Sequence, residues 1–173
     1  MKKLTLPLSD KDIAALKAGD TVAVSGVIYT ARDAAHKRIC NALESGEKPP
    51  IELENAVIYY CGPTPARKGE VIGSCGPTTS ARMDDYAPAL IAHGAKVMIG
   101  KGKRSAAVRE AIKKHCGLYL AAIGGAGALM KSYVKKCELV AYGDLGCEAI
   151  YKLEVEDMEL IVASDCRGNS ILR

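Results

Sequence analysis

The sequence predicts a single α/β domain spanning residues 1–173, and three observations carry that prediction. Short aliphatic, β-branched runs alternate with stretches whose apolar residues recur at helical spacing, the pattern of strands interleaved with helices. Glycine and proline punctuate the joints between them, and no linker or low-complexity tract interrupts the series. The length suits one core: a chain of this size hides roughly 70% of its unfolded surface and needs no disulfide or metal to fold. With no Phe and no Trp, that core must be built from Val, Ile, Leu, Ala and Met.

Leu4 to Leu8 reads as a strand, and Ser9-Asp10-Lys11-Asp12 as the capped start of a short helix through Leu16, stopped by Gly19. Thr21 to Thr30 is the clearest strand. Thr30 is expected to cap a helix whose apolar positions Ala35, Ile39 and Leu43 recur every four residues, with Gly46 ending it. A strand is expected over Ala56 to Tyr60. Cys61 to Pro77 is rich in Gly and Pro and reads as loop and turn around a short strand near Val71-Ile72. A helix is expected from Ser80 to His93, closed by Gly94, then a strand from Lys96 to Ile99 and a helix from Ser105 to Cys116. Leu118 to Ile123 reads as a strand, and Gly124-Gly125-Ala126-Gly127 opens a helix to about Tyr133. Strands at Glu138 to Ala141 and Leu160 to Ser164 complete the core.

Several function classes are excluded at this level. Net charge is +4 and the basic residues are scattered, without the clustered stripe that a nucleic-acid footprint needs. Lys2 and Lys3 are followed by no apolar signal region, and no apolar run approaches the ~20 residues that span a bilayer. These features predict a cytoplasmic protein without nucleic-acid or membrane partners. Isolated Arg and Lys residues suit small acidic ligands better.

Three constellations stand out. In Thr30-Ala31-Arg32-Asp33-Ala34-Ala35-His36-Lys37, Arg32 and His36 lie four apart on one face of the expected helix, with Arg32 in its first turn. A cation there opposes the helix dipole, which points to an anionic ligand, although a solvated Arg and a surface His fit the same residues. In Ser74-Cys75-Gly76-Pro77-Thr78-Thr79-Ser80-Ala81-Arg82-Met83-Asp84, Gly76 and Pro77 shape a tight turn. Thr78, Thr79 and Ser80 then meet a helix start, where backbone N–H groups favour anions and Arg82 offers a planar fork for a carboxylate. One hydroxyl would serve as an ordinary N-cap, so the other two are surplus to it. In Ile99-Gly100-Lys101-Gly102-Lys103-Arg104, a lysine between glycines follows an apolar strand, where α/β folds place ligands, though a plain loop fits equally. The glycine run at 124–127 matches neither dinucleotide nor Walker spacing. Cys61-Gly62-Pro63-Thr64 recurs as Cys75-Gly76-Pro77-Thr78, read as two similar strand-exit turns.

The seven cysteines are odd in number, and no two form a C-x-x-C pair. In a reducing compartment they read as buried thiols. Their spacings match none of the compact ferredoxin patterns, so metal binding by this chain is not expected.

The strings T-A-R-D-A-A-H-K (30–37), Y-Y-C-G-P (59–63), G-P-T-T-S-A-R-M-D (76–84), I-G-K-G (99–102), D-L-G-C-E-A-I (144–150) and D-C-R-G-N-S (165–170), in this order, resemble one family. It is that of the β subunit, or fused C-terminal domain, of class I iron–sulfur fumarate hydratases and L(+)-tartrate dehydratases. The resemblance runs from about residue 3 to 172, and G-P-T-T-S-A-R-M-D is its most specific element. It implies a swivelling β/β/α domain with mixed sheets and flanking helices. It further implies an α subunit carrying a [4Fe-4S] cluster, in a heterodimer or heterotetramer, with a homodimer of this chain also possible. The implied reaction is reversible hydration of fumarate to (S)-malate, with tartrate dehydration as the alternative. A stand-alone dicarboxylate-binding module and a purely structural cap on a catalytic subunit are the rival readings. Carried over by position, Arg32, Arg82 and Lys101 hold substrate carboxylates, Thr78 acts as base toward the C–H proton, and His36 is an active-site residue. Thr79 competes with Thr78, and Gly76 belongs to the substrate-binding turn.

Overall fold

Alternation of side chains along short parallel strands organises the molecule. The computed structural model describes residues 1–122 and 126–172. Its elements are β1 (Lys2–Thr5), α1 (Asp10–Ala15), β2 (Thr21–Thr30), α2 (Asp33–Glu44), β3 (Val57–Tyr59), a 3-10 turn (Ser80–Met83) and α3 (Ala87–Ala92). There follow β4 (Val97–Gly100), α4 (Ala106–Lys114), β5 (Leu118–Ala121), α5 (Gly127–Ser132), β6 (Val134–Ala141), a second 3-10 segment (Gly143–Glu148) and β7 (Ile150–Ser164).

β1 and β3 pair in parallel with successive parts of β2, and β4 and β5 continue the parallel series. β7 runs antiparallel both to β5 and to nearly the full length of β2. The sheet therefore closes on itself through β2, β3, β4, β5 and β7, while β1 and β6 extend it at the rim. Closure leaves two apolar compartments, because successive residues of a strand face opposite sides. Val57, Tyr59, Val97, Ile99, Leu118 and Leu120 enter one core with Leu153, Val155 and Val162 of β7. Ile58, Met98 and Tyr119 face the other way and pack against Ile39 of α2, Leu90 and Ile91 of α3, and Ile112 of α4.

The mixed α/β class with flanking helices agrees with the sequence reading, but several elements differ from it. The first strand ends at Thr5. Thr30 does not cap α2: its hydroxyl donates to Ala149 O and accepts from Tyr151 N–H, tying β2 to β7. Arg32 occupies the N-cap position with an extended backbone, so its charge lies just outside the helix rather than in its first turn. The expected helix over 80–93 divides at Asp84-Asp85-Tyr86, because Pro88 near the start of α3 favours a fresh helix start and Asp84 is engaged elsewhere. Val71 and Ile72 form no strand. β6 and β7 are longer than expected, since the polar residues at alternate positions along 150–158 mask a strand with one buried face. Ile123, Gly124 and Gly125 of the expected strand end and glycine run lie outside the described residues. Among the described residues no helix is long and apolar enough to cross a membrane.

Candidate active site

The carboxyl ends of β2, β3 and β4 lie side by side, and the three sequence constellations meet there. β2 delivers Arg32, β4 delivers Lys101, and β3 continues into Tyr60, Cys61 and Gly62 between them. The segment 78–80 threads across this edge. Thr78 N–H donates to Tyr60 O at 2.6 Å, Ser80 N–H donates to Lys101 O at 2.9 Å, and Thr79 and Lys101 form a parallel bridge. Thr78, Thr79, Arg82 and Lys101 are thus held in one hydrogen-bonded unit by main-chain contacts.

This segment is not an ordinary helix cap. Thr79 stands at the N-cap of the 3-10 turn without a side-chain capping bond. Ser80 is buried, and its hydroxyl donates to Tyr119 Oη at 2.8 Å, because the Tyr119 proton is itself given to Gly102 O at 2.8 Å. Among the described residues the hydroxyls of Thr78 and Thr79 take no hydrogen-bond partner; Thr78 is half-buried and Thr79 exposed. Arg82 is exposed and Lys101 half-buried, and among the described residues neither is ion-paired. Gly76 packs against Gly127 of α5, where a Cβ on Gly76 would meet the Gly127 backbone at 3.3 Å.

Arg32 lies across Gly62: a Cβ there would come within 3.0 Å of Arg32 Cδ and 3.2 Å of its terminal nitrogen. Its Nε is 3.7 Å from Asp33 and 3.6 Å from Glu148, too long for hydrogen bonds, and Nε and one oxygen of each acid are buried without partners. Its main chain is firmly held. Both the His36 N–H and His36 Nδ1 reach Arg32 O, at 2.9 and 2.8 Å, which places the imidazole proton on Nδ1. His36 itself is 1% exposed and stands edge-on to Tyr60, with ring centroids 5.3 Å apart. Burial, helped by the nearby Arg104 charge and opposed by the hydrogen bond to Arg32 and the charge of Asp33, pushes its pKa down to about 4. The imidazole is neutral near pH 7 and lies behind the site edge, where it fixes Arg32 rather than facing open solvent.

Sequence reading assigned no supporting role to Tyr60, Tyr119, Ser80 or Arg104, which lie beneath this edge. The double tyrosine in 59–63 and the Lys103-Arg104-Ser105 helix start were the available signals. Among the described residues no group of three or more His, Cys, Asp or Glu is arranged to hold a metal ion. Cys61 and Cys75 are buried free thiols, Cys147 is exposed, and the other four are intermediate. The described residues therefore do not fit an iron–sulfur cluster.

The sequence matches the family described as Fumarase C-terminus over residues 2–173. The chain belongs to this family. A Methanocaldococcus jannaschii protein provisionally named L(+)-tartrate dehydratase subunit beta is 42% identical over 170 residues, spanning 95% of this chain and 87% of that protein. The Escherichia coli K12 protein named fumarate hydratase class I, aerobic, is 38% identical over 175 residues, covering 100% of this chain but 31% of its own length. Fumarate hydratase 2 of Leishmania major is 39% identical over 155 residues, 88% of this chain and 27% of that protein. This family member thus spans under a third of the fumarate hydratases it resembles.

Proposed function

We propose that this chain is the carboxylate-clamping β subunit of a hydro-lyase that reversibly hydrates fumarate to (S)-malate in the cytoplasm. The observation that carries the reading is the union of Thr78, Thr79, Arg82 and Lys101 in one main-chain-bonded segment at the strand ends, with two cations left unpaired among the described residues. Arg82 and Lys101 receive one carboxylate, and Arg32 the other. In the dehydration direction Thr78 Oγ1 takes the proton from the carbon next to a carboxylate. Negative charge then builds on that carboxylate, and the fixed cations stabilise it most in the transition state. The same cations favour an ionised Thr78 oxygen, without which a hydroxyl is a weak base.

The near-complete coverage of the subunit-length relative supports a separate partner chain, corresponding to the remaining two-thirds of the fumarate hydratases. We assign the [4Fe-4S] cluster to that partner, in a heterodimer or heterotetramer, with a homodimeric β pair as the alternative assembly, and this domain to the swivelling β/β/α class. Tartrate is the alternative substrate, supported by the name of the archaeal relative.

The test is anaerobic co-purification with a cluster-bearing partner, followed by assays on fumarate, malate and tartrate. Arg82→Lys keeps charge but loses the bidentate fork, so both rate and substrate binding should weaken. Unchanged kinetics in Arg82→Lys would leave the chain as a structural cap. Tight dicarboxylate binding by the chain alone, with no partner activity, would favour the binding-module reading instead.

A further inference from the structure

Beneath the site edge lies a cation that touches no solvent-facing group of the clamp. Arg104 is 6% exposed, and its Nε donates to Asp84 Oδ1 at 2.8 Å. One terminal nitrogen donates to Tyr60 Oη at 3.2 Å, and the guanidinium carbon lies 5.0 Å from the ring centroids of both Tyr60 and Tyr119. Asp84 Oδ2 in turn accepts from Ser105 N–H at 2.6 Å.

Each of these partners is rooted in a different arm of the site. Asp84 closes the 3-10 turn that carries Arg82. Tyr60 accepts the Thr78 N–H on its carbonyl and presses its ring on His36, which clamps Arg32. Tyr119 is bonded to Ser80 on one side and to Gly102, next to Lys101, on the other. A single buried guanidinium therefore lies where the supports of all three arms converge. A buried ion pair is weak evidence for stability, since well-packed apolar residues of similar volume often do as well or better. Its planar fork and two aromatic faces, however, fix relative geometry in a way no aliphatic side chain can.

We infer that Arg104 is a positioning residue that sets Thr78, Arg82, Lys101 and Arg32 in mutual register without touching the substrate. The inference rests on the proposed hydro-lyase reading for its catalytic consequence, though not for its structural one. Misplacing reacting groups by about 1 Å can lower a rate by ~10²-fold, and that is the scale expected here.

Arg104→Lys, Tyr60→Phe and Tyr119→Phe would be compared in the reconstituted complex, with Lys96→Met, which breaks the remote Lys96–Asp10 pair, as control. The expected result is a fall in kcat of roughly 10- to 100-fold for Arg104→Lys, on the same misplacement scale. The two phenylalanine variants should show smaller falls, the folded state should persist, and the control should be unchanged. Should Arg104→Lys fail to fold, the phenylalanine variants carry the test, because they keep ring volume and remove only the hydroxyl's bonds, one at Tyr60 and two at Tyr119. A lowered melting temperature with kcat and KM within about twofold of wild type in the folded variants would overturn the inference.

Hydrogen exchange, read on the protein in whichever assembly it purifies, separates this from the functional reading. The Thr78 and Ser80 amides should exchange faster in Arg104→Lys, while the Val162 amide bonded to Asp20 should not. A wild-type complex inactive on every dicarboxylate would defeat the hydro-lyase assignment and leave the exchange result to decide positioning. Unaltered exchange at 78 and 80 would defeat positioning.

Discussion

Replacing Gly100 by Ala tests the site geometry with a single methyl group. Gly100 ends β4 directly under the threaded segment, and its backbone is not in the left-handed region, so any penalty is steric. The added Cβ would overlap Ser80 Oγ and come within 2.8 Å of Tyr60 Cδ2, whereas ordinary contact begins at 3.4 Å. Either Ser80 rotates and surrenders its bond to Tyr119, or segment 78–80 retreats from β4. Overpacking of this kind costs about 1–3 kcal/mol. A retreat of roughly 1 Å would carry Thr78 and Arg82 with it, so kcat/KM should fall by ~10²-fold. Chemical denaturation with an unchanged m-value and steady-state kinetics on the purified complex would measure both. Adding Ser80→Ala should recover part of the stability, because Ser80 Cβ lies at 3.4 Å and needs no displacement. A Gly100→Ala protein as stable and active as wild type would refute this account of how the segment is seated.

Thr78→Val should lower the rate by on the order of 10²–10⁴ with little change in substrate binding, and Thr79→Val should leave it near wild type; kinetics with the order reversed would move the base by one residue. The pH dependence of stability should carry a His36 contribution. Its folded pKa of about 4 lies below the unfolded 6.5, so the unfolded chain binds the proton more readily. That contribution is complete above about pH 6.5 and is lost progressively as pH falls toward 4, amounting to on the order of 3 kcal/mol. Denaturation of His36→Gln across this range should show a flatter profile, and identical profiles would contradict a buried neutral imidazole. The chain purified alone under anaerobic conditions should hold no iron and show no hydratase activity; a stoichiometric cluster on it would return the cysteines to consideration as ligands.

Much of the architecture was readable along the chain because it is written in local chemistry. Thr21 to Thr30 reads as a strand and is one, since a β-branched run bounded by Gly19-Asp20 has no other easy conformation. The Ser9 cap was likewise legible, for a side-chain oxygen near free N–H groups acts within one turn. The residues of the proposed clamp could be named from residue type and order, and the strings that carry the family resemblance include all of them.

What the sequence could not settle is which residues those side chains stand on. Thr30 is a competent N-cap by composition, yet its hydroxyl is claimed at the start of β7 by Ala149 and Tyr151, 119 and 121 residues further along the chain. Closure of β2, β3, β4, β5 and β7 into a ring depends on 152–161 lying antiparallel along β2, and no local pattern specifies a partner at that separation. Arg104 reads as the end of a short basic run, a solvated loop by every local rule. Only the convergence of Tyr60, Tyr119 and Asp84 from three separate segments makes it a buried cation at the centre of the site's supports. Secondary structure follows from interactions a few residues apart. Burial and charge pairing follow from which surfaces the closed sheet brings into contact, and that is a property of the whole fold.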